Sequence, residues 1–172
     1  RLLSEGRLIM KVKWDYTNLA ESYLMRPNYS QIAFDNFIAI TQTRANMKCC
    51  DVGAGAAHLT AMLAKFGLNV TAIEPNAAMR KNGVQKTKDF KNVKWIEGTG
   101  ESTNQLPDEF DIVTFGSSFN VCDRFSALIE VARILKEGGW FMCLWNHRDL
   151  SDPIQGEIEN IIRNALPEYG YG

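Results

Sequence analysis

The sequence predicts a doubly wound α/β domain built on a mainly parallel sheet. Three observations carry that prediction. Short apolar runs alternate with amphipathic segments all along the stretch from Met47 to Ala165, the pattern of strands joined by crossover helices. Glycine- and proline-bearing turns separate these segments, as such connections require. The polar motifs fall just after predicted strands, where ligands bind in open parallel sheets.

Taken in order, Trp14–Tyr29 is a mixed segment rich in Tyr and Asn, and Ser30–Thr43 has the spacing of an amphipathic helix. Met47–Val52 is a buried strand running into Gly-Ala-Gly. Ala57–Phe66 follows as a helix with Leu59, Met62, Leu63 and Phe66 on one face, and Gly67 stops it. Asn69–Ile73 is a second strand, and Ala77–Lys86 a second helix of this unit, entered through Pro75 and Asn76. Val93–Ile96 and Asp111–Phe115 are further strands. Phe125–Leu135 is helical, Lys136-Glu137-Gly138-Gly139 a tight turn, and Trp140–Trp145 a fifth strand. Pro153–Ala165 closes the series as a helix with Ile154, Ile158, Ile161 and Ile162 on one face.

Composition sets outer limits. With 172 residues, 45% of them apolar and 23% charged, the chain suits one globular domain with a real core. Nineteen basic against twenty acidic side chains give a net charge of −1, so neither a nucleic-acid nor a membrane partner is expected. No apolar run approaches the roughly 20 residues of a membrane span. Four cysteines, none in a Cys-x-x-Cys pair, and two histidines give no metal-site spacing. Cys49 and Cys50 are neighbours in one strand, so they point to opposite faces. Buried reduced thiols point to a cytoplasmic protein.

The chemistry concentrates around Asp51-Val52-Gly53-Ala54-Gly55-Ala56-Ala57. Gly53 and Gly55 let the backbone turn sharply and approach a ligand closely. Alone, this is a plain Gly-rich turn. Asp51 before it would repel a pyrophosphate but suits a ligand carrying a sulfonium and an ammonium. Glu74 ends the second strand, where a carboxylate about 20 residues on can accept from both ribose hydroxyls. The third glycine or alanine of a dinucleotide loop is replaced by His58. The site reads as one for a nucleoside without a diphosphate.

These motifs, with Glu74-Pro75-Asn76-Ala77-Ala78-Met79, resemble the first two motifs of class I S-adenosylmethionine-dependent methyltransferases. Gly98-Thr99-Gly100-Glu101-Ser102 with Leu106-Pro107, Phe110–Phe115, and Ala132-Arg133-Ile134-Leu135-Lys136-Glu137-Gly138-Gly139 resemble the later ones. Trp145-Asn146-His147-Arg148-Asp149 and the upstream Tyr23-Leu24-Met25-Arg26-Pro27-x-Tyr29 resemble the small-molecule branch that includes trans-aconitate-type, or type 11, enzymes. The resemblance spans roughly residues 14 to 165 and implies a Rossmann-like sheet of order 3-2-1-4-5. It implies that Gly53, Ala54 and Gly55 line the methionine part of the cofactor, with Asp51 hydrogen-bonding nearby. Glu74 would hold the ribose, and Pro75 or Asn76 would lie on the adenine. Thr99, Gly100 and Glu101 would stand at its edge, with Thr99 where many relatives have Asp. Ser117 would face both methionine and acceptor.

Catalysis by methyl transfer rests largely on orientation and desolvation and does not demand a base. His147, after the fifth strand, is the candidate base, against the alternative of a histidine bonded to loop backbone. Tyr16, Tyr23 and Arg26 form either a lid, with Arg26 pairing the cofactor carboxylate, or simply a packed N-terminal segment. Asn120 is either an acceptor contact or a helix cap, and His58 is expected to pack in its helix.

Residues 1–29 are therefore read as a lid or extension, and 30–172 as the cofactor domain. The family fold adds two strands after the fifth, which this sequence lacks. Either the chain is a fragment, with a C-terminally incomplete domain, or its edge strand is exposed or supplied by a partner, which favours a homo-oligomer. An incomplete acceptor pocket with weak or no turnover is expected. The expected function is methyl transfer from S-adenosylmethionine to a small-molecule acceptor. An NAD(P)-dependent oxidoreductase and a catalytically silent binding module are the alternatives.

Overall fold

The computed structural model describes residues 15–169. A 3-10 turn at Thr17–Leu19 leads into the short helix α1 (Ala20–Tyr23), followed by α2 (Gln31–Thr41). The alternating unit then runs β1 (Lys48–Val52), α3 (His58–Phe66), β2 (Asn69–Ile73), α4 (Ala77–Lys86) and β3 (Val93–Ile96). After a long loop come β4 (Phe110–Gly116), a 3-10 turn at Phe119–Val121, α5 (Arg124–Ile134), β5 (Leu135–Leu144) and α6 (Pro153–Ala165). The five strands form one parallel sheet in the order β3-β2-β1-β4-β5, the doubly wound arrangement expected.

Strand alternation divides the core into two layers. Cys49, Val70, Ile112 and Met142 face α2 and α3, packing with Phe34, Leu59 and Leu63. Cys50, Val52, Val113 and Phe115 face the other way, against Ala127, Val131 and Ile134 of α5. The adjacent cysteines thus belong to different layers, and burial pushes both thiols well above their usual range, so they stay neutral.

The helices start where side chains satisfy their first amides. Ser30 caps α2, Asn76 caps α4, Asp123 caps α5 and Asp152 caps α6, each accepting from backbone N–H groups of the first turn. Gly67, at φ 104°, ends α3 in the left-handed region.

Two elements differ from expectation. β5 begins at Leu135 rather than Trp140, because Leu135 already pairs with Phe110. The turn Lys136–Gly139 then leaves the ladder and rejoins it with Trp140 opposite Ile112, while Lys136 Nζ lies 2.7 Å from Asp111. On α6 the isoleucine face is largely uncovered: Ile154 is 70% exposed, Ile158 45% and Ile161 61%. That helix is tied down instead by buried Glu159, which pairs with Arg148 and Arg163 at 2.9 Å each. Among the described residues no helix is long and apolar enough to cross a membrane.

Candidate functional site

β1, β2 and β4 end side by side, and the first of these ends carries the glycine loop. Gly53 and Gly55 adopt φ of 67° and 54°, and Ala57, the N-cap of α3, one of 66°. A Cβ added to Gly53 would stand 2.4 Å from the Cβ of Ser118, so only glycine fits. Ser118 is itself anchored, its hydroxyl donating to the Val52 carbonyl at 2.6 Å.

Asp51 lies beneath this loop rather than on its open side. It is 1% exposed, and each carboxylate oxygen accepts one hydrogen bond, from Thr60 Oγ1 at 2.6 Å and Thr114 Oγ1 at 2.8 Å. Burial pushes its pKa up to about 6, against the lowering effect of the two hydroxyls. Asp51 is thus held by two hydroxyls of the chain, and lone-pair positions remain for a ligand group.

Glu74 joins the turns after β1 and β2. Its Oε2 accepts from Gly55 N and its Oε1 from Asn76 N, both at 2.8 Å. Ala54 N also donates to the Ile73 carbonyl at 2.9 Å. Burial raises the Glu74 pKa while these amides lower it. A carboxylate has about four lone-pair positions, so two remain for hydroxyl donors. The Asn76 side chain caps α4 through Ala78 N and Met79 N, and Pro75 beside it is exposed.

The loop after β3 brings in the next group. Thr99 is exposed, with its hydroxyl accepting from Ser102 N at 3.2 Å. Gly100 is buried against Cys122 and Phe115, and the Glu101 carboxylate accepts from Asp123 N at 2.7 Å. Glu130 of α5 fastens this loop by accepting from both Thr103 N and Thr103 Oγ1. Arg133 and Thr103 hold Glu130 down to about 2.

Residues 15–29 run as a strap across the β1 loop and α4. Ala20 is buried against Ala56 and Met79, with the rings of Tyr16 and Tyr23 packed around them. Asn76 Nδ2 donates to Thr17 Oγ1 at 3.0 Å, and Asn82 Nδ2 to the Ala20 carbonyl at 2.9 Å. The two tyrosine rings meet edge-on, and Arg26 lies 4.3 Å over the Tyr23 ring. Burial, then Tyr23, pushes Tyr16 up to about 12. At the far end of the strap Tyr29 donates to Ser117 Oγ at 3.1 Å, and Ser117 holds a left-handed φ of 56° just past β4.

His147 is exposed beyond β5, and Asn120 accepts from Trp145 Nε1 at 3.5 Å. The structure gathers Gly53, Ala54, Gly55, Glu74 and Asn76 at one place and brings Tyr23 and Arg26 in on the strap. His147 is not in that group. Four residues the sequence reading passed over complete the setting: Ser118, Thr60, Thr114 and Asn82. The partners of Ser118, Thr114 and Asn82 lie more than 60 positions away, while Thr60 bonds Asp51 nine positions back. His58, already odd within the loop, gave a local signal of the strap's attachment.

The family model described as a methyltransferase domain matches residues 50–143. The ubiquinone/menaquinone biosynthesis C-methyltransferase of Zymomonas mobilis is 32% identical over 151 residues, covering 80% of this chain and 62% of that one. The demethylmenaquinone methyltransferase of Staphylococcus carnosus is 34% identical over 133 residues, covering 75% and 55%. The chain thus spans about half to three fifths of the length of such curated relatives. Among solved structures, the YcgJ protein of Bacillus subtilis superposes with TM-score 0.61 at 26% identity, over 80% of this chain and 60% of that one. A SAM-dependent methyltransferase from Aquifex aeolicus shares the fold, with TM-score 0.67 at 17% identity over 90% and 89%. With the glycine loop, the strand-end carboxylate and the sheet order all in their places, the chain belongs to the methyltransferase-domain family, the class I S-adenosylmethionine-dependent methyltransferases.

Proposed function

We propose that this protein is an S-adenosylmethionine-dependent methyltransferase acting on a small-molecule acceptor. The observation that carries the reading is the Gly53–Gly55 cradle locked to Glu74 by the Gly55 amide. The residues fit the cofactor: Gly53 and Gly55 hold the positive φ of a tight turn, with Gly53 packed directly on Ser118, and Glu74 keeps lone pairs for the ribose hydroxyls. When bound, S-adenosylmethionine supplies an activated methyl group on a sulfonium.

The chain's own residues orient, exclude water and set the field. Gly53, Ala54 and Gly55 hold the methionine end, and Asp51 adds negative charge from beneath once it is ionised. Pro75 or Asn76 lies against one face of the adenine, with Thr99, Gly100 and Glu101 at its edge. Tyr23 and Arg26 belong to residues 15–29, the described part of the 1–29 lid or extension, over the cofactor domain of 30–172; residues 1–14 and 170–172 of those spans lie outside the described residues. Ser117, in its left-handed conformation, stands at the junction of methyl donor and acceptor. His147 is the group beyond β5 that would take a proton from an acceptor needing to lose one.

The printed names of the relatives make a quinone ring the first acceptor class to test. The reading places the protein in the cytoplasm, where its four free thiols stay reduced, and gives it no nucleic-acid or membrane partner. The test has two arms. Calorimetric titration with S-adenosylmethionine, S-adenosylhomocysteine and NAD(P)H should show binding of the first two only. Incubation with labelled S-adenosylmethionine and demethylated quinones or a metabolite pool should yield a labelled product. Tighter binding of NAD(P)H would overturn the reading, and failure to bind S-adenosylmethionine, or no labelled product from this chain and a longer one alike, would mark a silent binding module.

A further inference from the structure

His58 opens α3 directly under the strap, and its ring meets groups from two other stretches of chain. Nε2 lies 2.9 Å from the Tyr23 carbonyl oxygen, and Nδ1 lies 2.9 Å from Lys86 Nζ and 3.2 Å from Asn28 Oδ1. A carbonyl only accepts, so Nε2 carries the hydrogen. An ammonium only donates, so Nδ1 presents its lone pair to Lys86. The Asn28 amide can turn its Nδ2 toward the same lone pair. This set of partners suits one tautomer of the neutral ring.

Protonation would place a second hydrogen on Nδ1, aimed at an ammonium. The charged groups facing the ring are Lys86 from α4 and Arg26 from the strap, both cationic; the Tyr23 carbonyl and the Asn28 amide are neutral. We infer that His58 is a positioning residue: its neutral ring pins the strap over the cofactor loop, and its protonation releases the strap. The inference rests on the reading of that loop as the cofactor site.

The sign follows from linkage. Burial first, then Lys86 and Arg26, hold His58 below its ordinary value of 6.5, against the raising effect of the Tyr23 carbonyl. The closed strap therefore binds fewer protons than the open one. Closure is complete above about 6.5 and is lost as the pH falls through the lower value of the closed form.

Hydrogen exchange on the whole chain tests this. The amides of Leu24, Met25 and Arg26, which donate to Glu21, Ser22 and Tyr23 carbonyls, report closure. After correction for intrinsic exchange, their protection should fall about three- to tenfold between about pH 7.5 and about pH 5.5. His58→Gln keeps a donor for the Tyr23 carbonyl and cannot titrate, so its protection should be flat. Lys86→Met removes the facing like charge, and the pH dependence should shrink while the part due to burial stays. Flat protection in the wild type, or an equal fall in His58→Gln, would overturn the inference. S-adenosylhomocysteine titrations over the same window should weaken more steeply in the wild type than in His58→Gln, where the titration of the site carboxylates remains. Absence of that binding at every pH would overturn the cofactor reading, with exchange still deciding the latch; binding with flat protection would overturn the latch alone.

Discussion

At the carboxyl ends of β1 and β2, Asp51, Glu74, Asn76 and Ser118 all have partners within the chain, and the nearby side chains are buried. On the far side of the sheet, beyond β5, Trp140 and the isoleucines of α6 face outward, and the helix is held by the Glu159 ion pairs and by hydrogen bonds of the loop before it. The two regions differ in how much each substitution has to disturb. A preorganised polar site has no slack, because each donor or acceptor left over is a buried unsatisfied group. An uncovered apolar face has little to lose, because its side chains already meet water.

The sharpest way to break this contrast is at Gly53. Gly53→Val must find room against Ser118 at a positive φ. It should cost about 2–4 kcal/mol in urea unfolding and more than about 100-fold in S-adenosylhomocysteine affinity. Near-normal binding would mean that the loop is not the cradle. Glu74→Gln comes next: an NH2 would replace one oxygen and face a backbone N–H of Gly55 or Asn76. A loss of about 1–3 kcal/mol is expected, with affinity for the cofactor product down about tenfold or more.

Asp51 gives a smaller, pH-dependent effect. Its folded value of about 6 lies above the ordinary 3.8, so the native state holds the proton more tightly. Its contribution to stability is present below the ordinary value and is lost as the pH rises through about 6. Asp51→Asn keeps the shape and removes that dependence. The difference in unfolding free energy between the variant and wild type should therefore grow in the variant's favour from about pH 4 to about pH 7. A constant difference would mean that Asp51 is not titrating there. The smallest effect belongs to α6: Ile158→Ser should stay within about 0.5 kcal/mol in thermal unfolding. A large loss would show that this face is covered in solution.

Much of this was legible in sequence, because apolar periodicity and capping are local. Asn69–Ile73, Ala77–Lys86, Val93–Ile96 and Pro153–Ala165 fall where their spacing predicts. The glycine loop and Glu74 were legible for the same reason, since each motif closes within a few residues. What the sequence hid depends on distant partners. The hydroxyl of Thr114, 63 positions on, donates to Asp51, and no local motif announces that pairing. Leu135 joins β5 through Phe110 across the sheet. The isoleucine stripe of α6 states that a face is apolar; what lies against that face is not encoded in its period.

The paired thiols of β1 offer an experimental handle of a different kind. Cys49 and Cys50 are chemical neighbours, yet each is sealed in a separate layer, one under α2 and α3 and the other under α5. A thiol reagent reaches either only when its own layer parts from the sheet. Mapping the label to one position or the other under mild denaturant would show which side of the domain peels away first. Two consecutive residues thus act as a built-in clock with two independent hands.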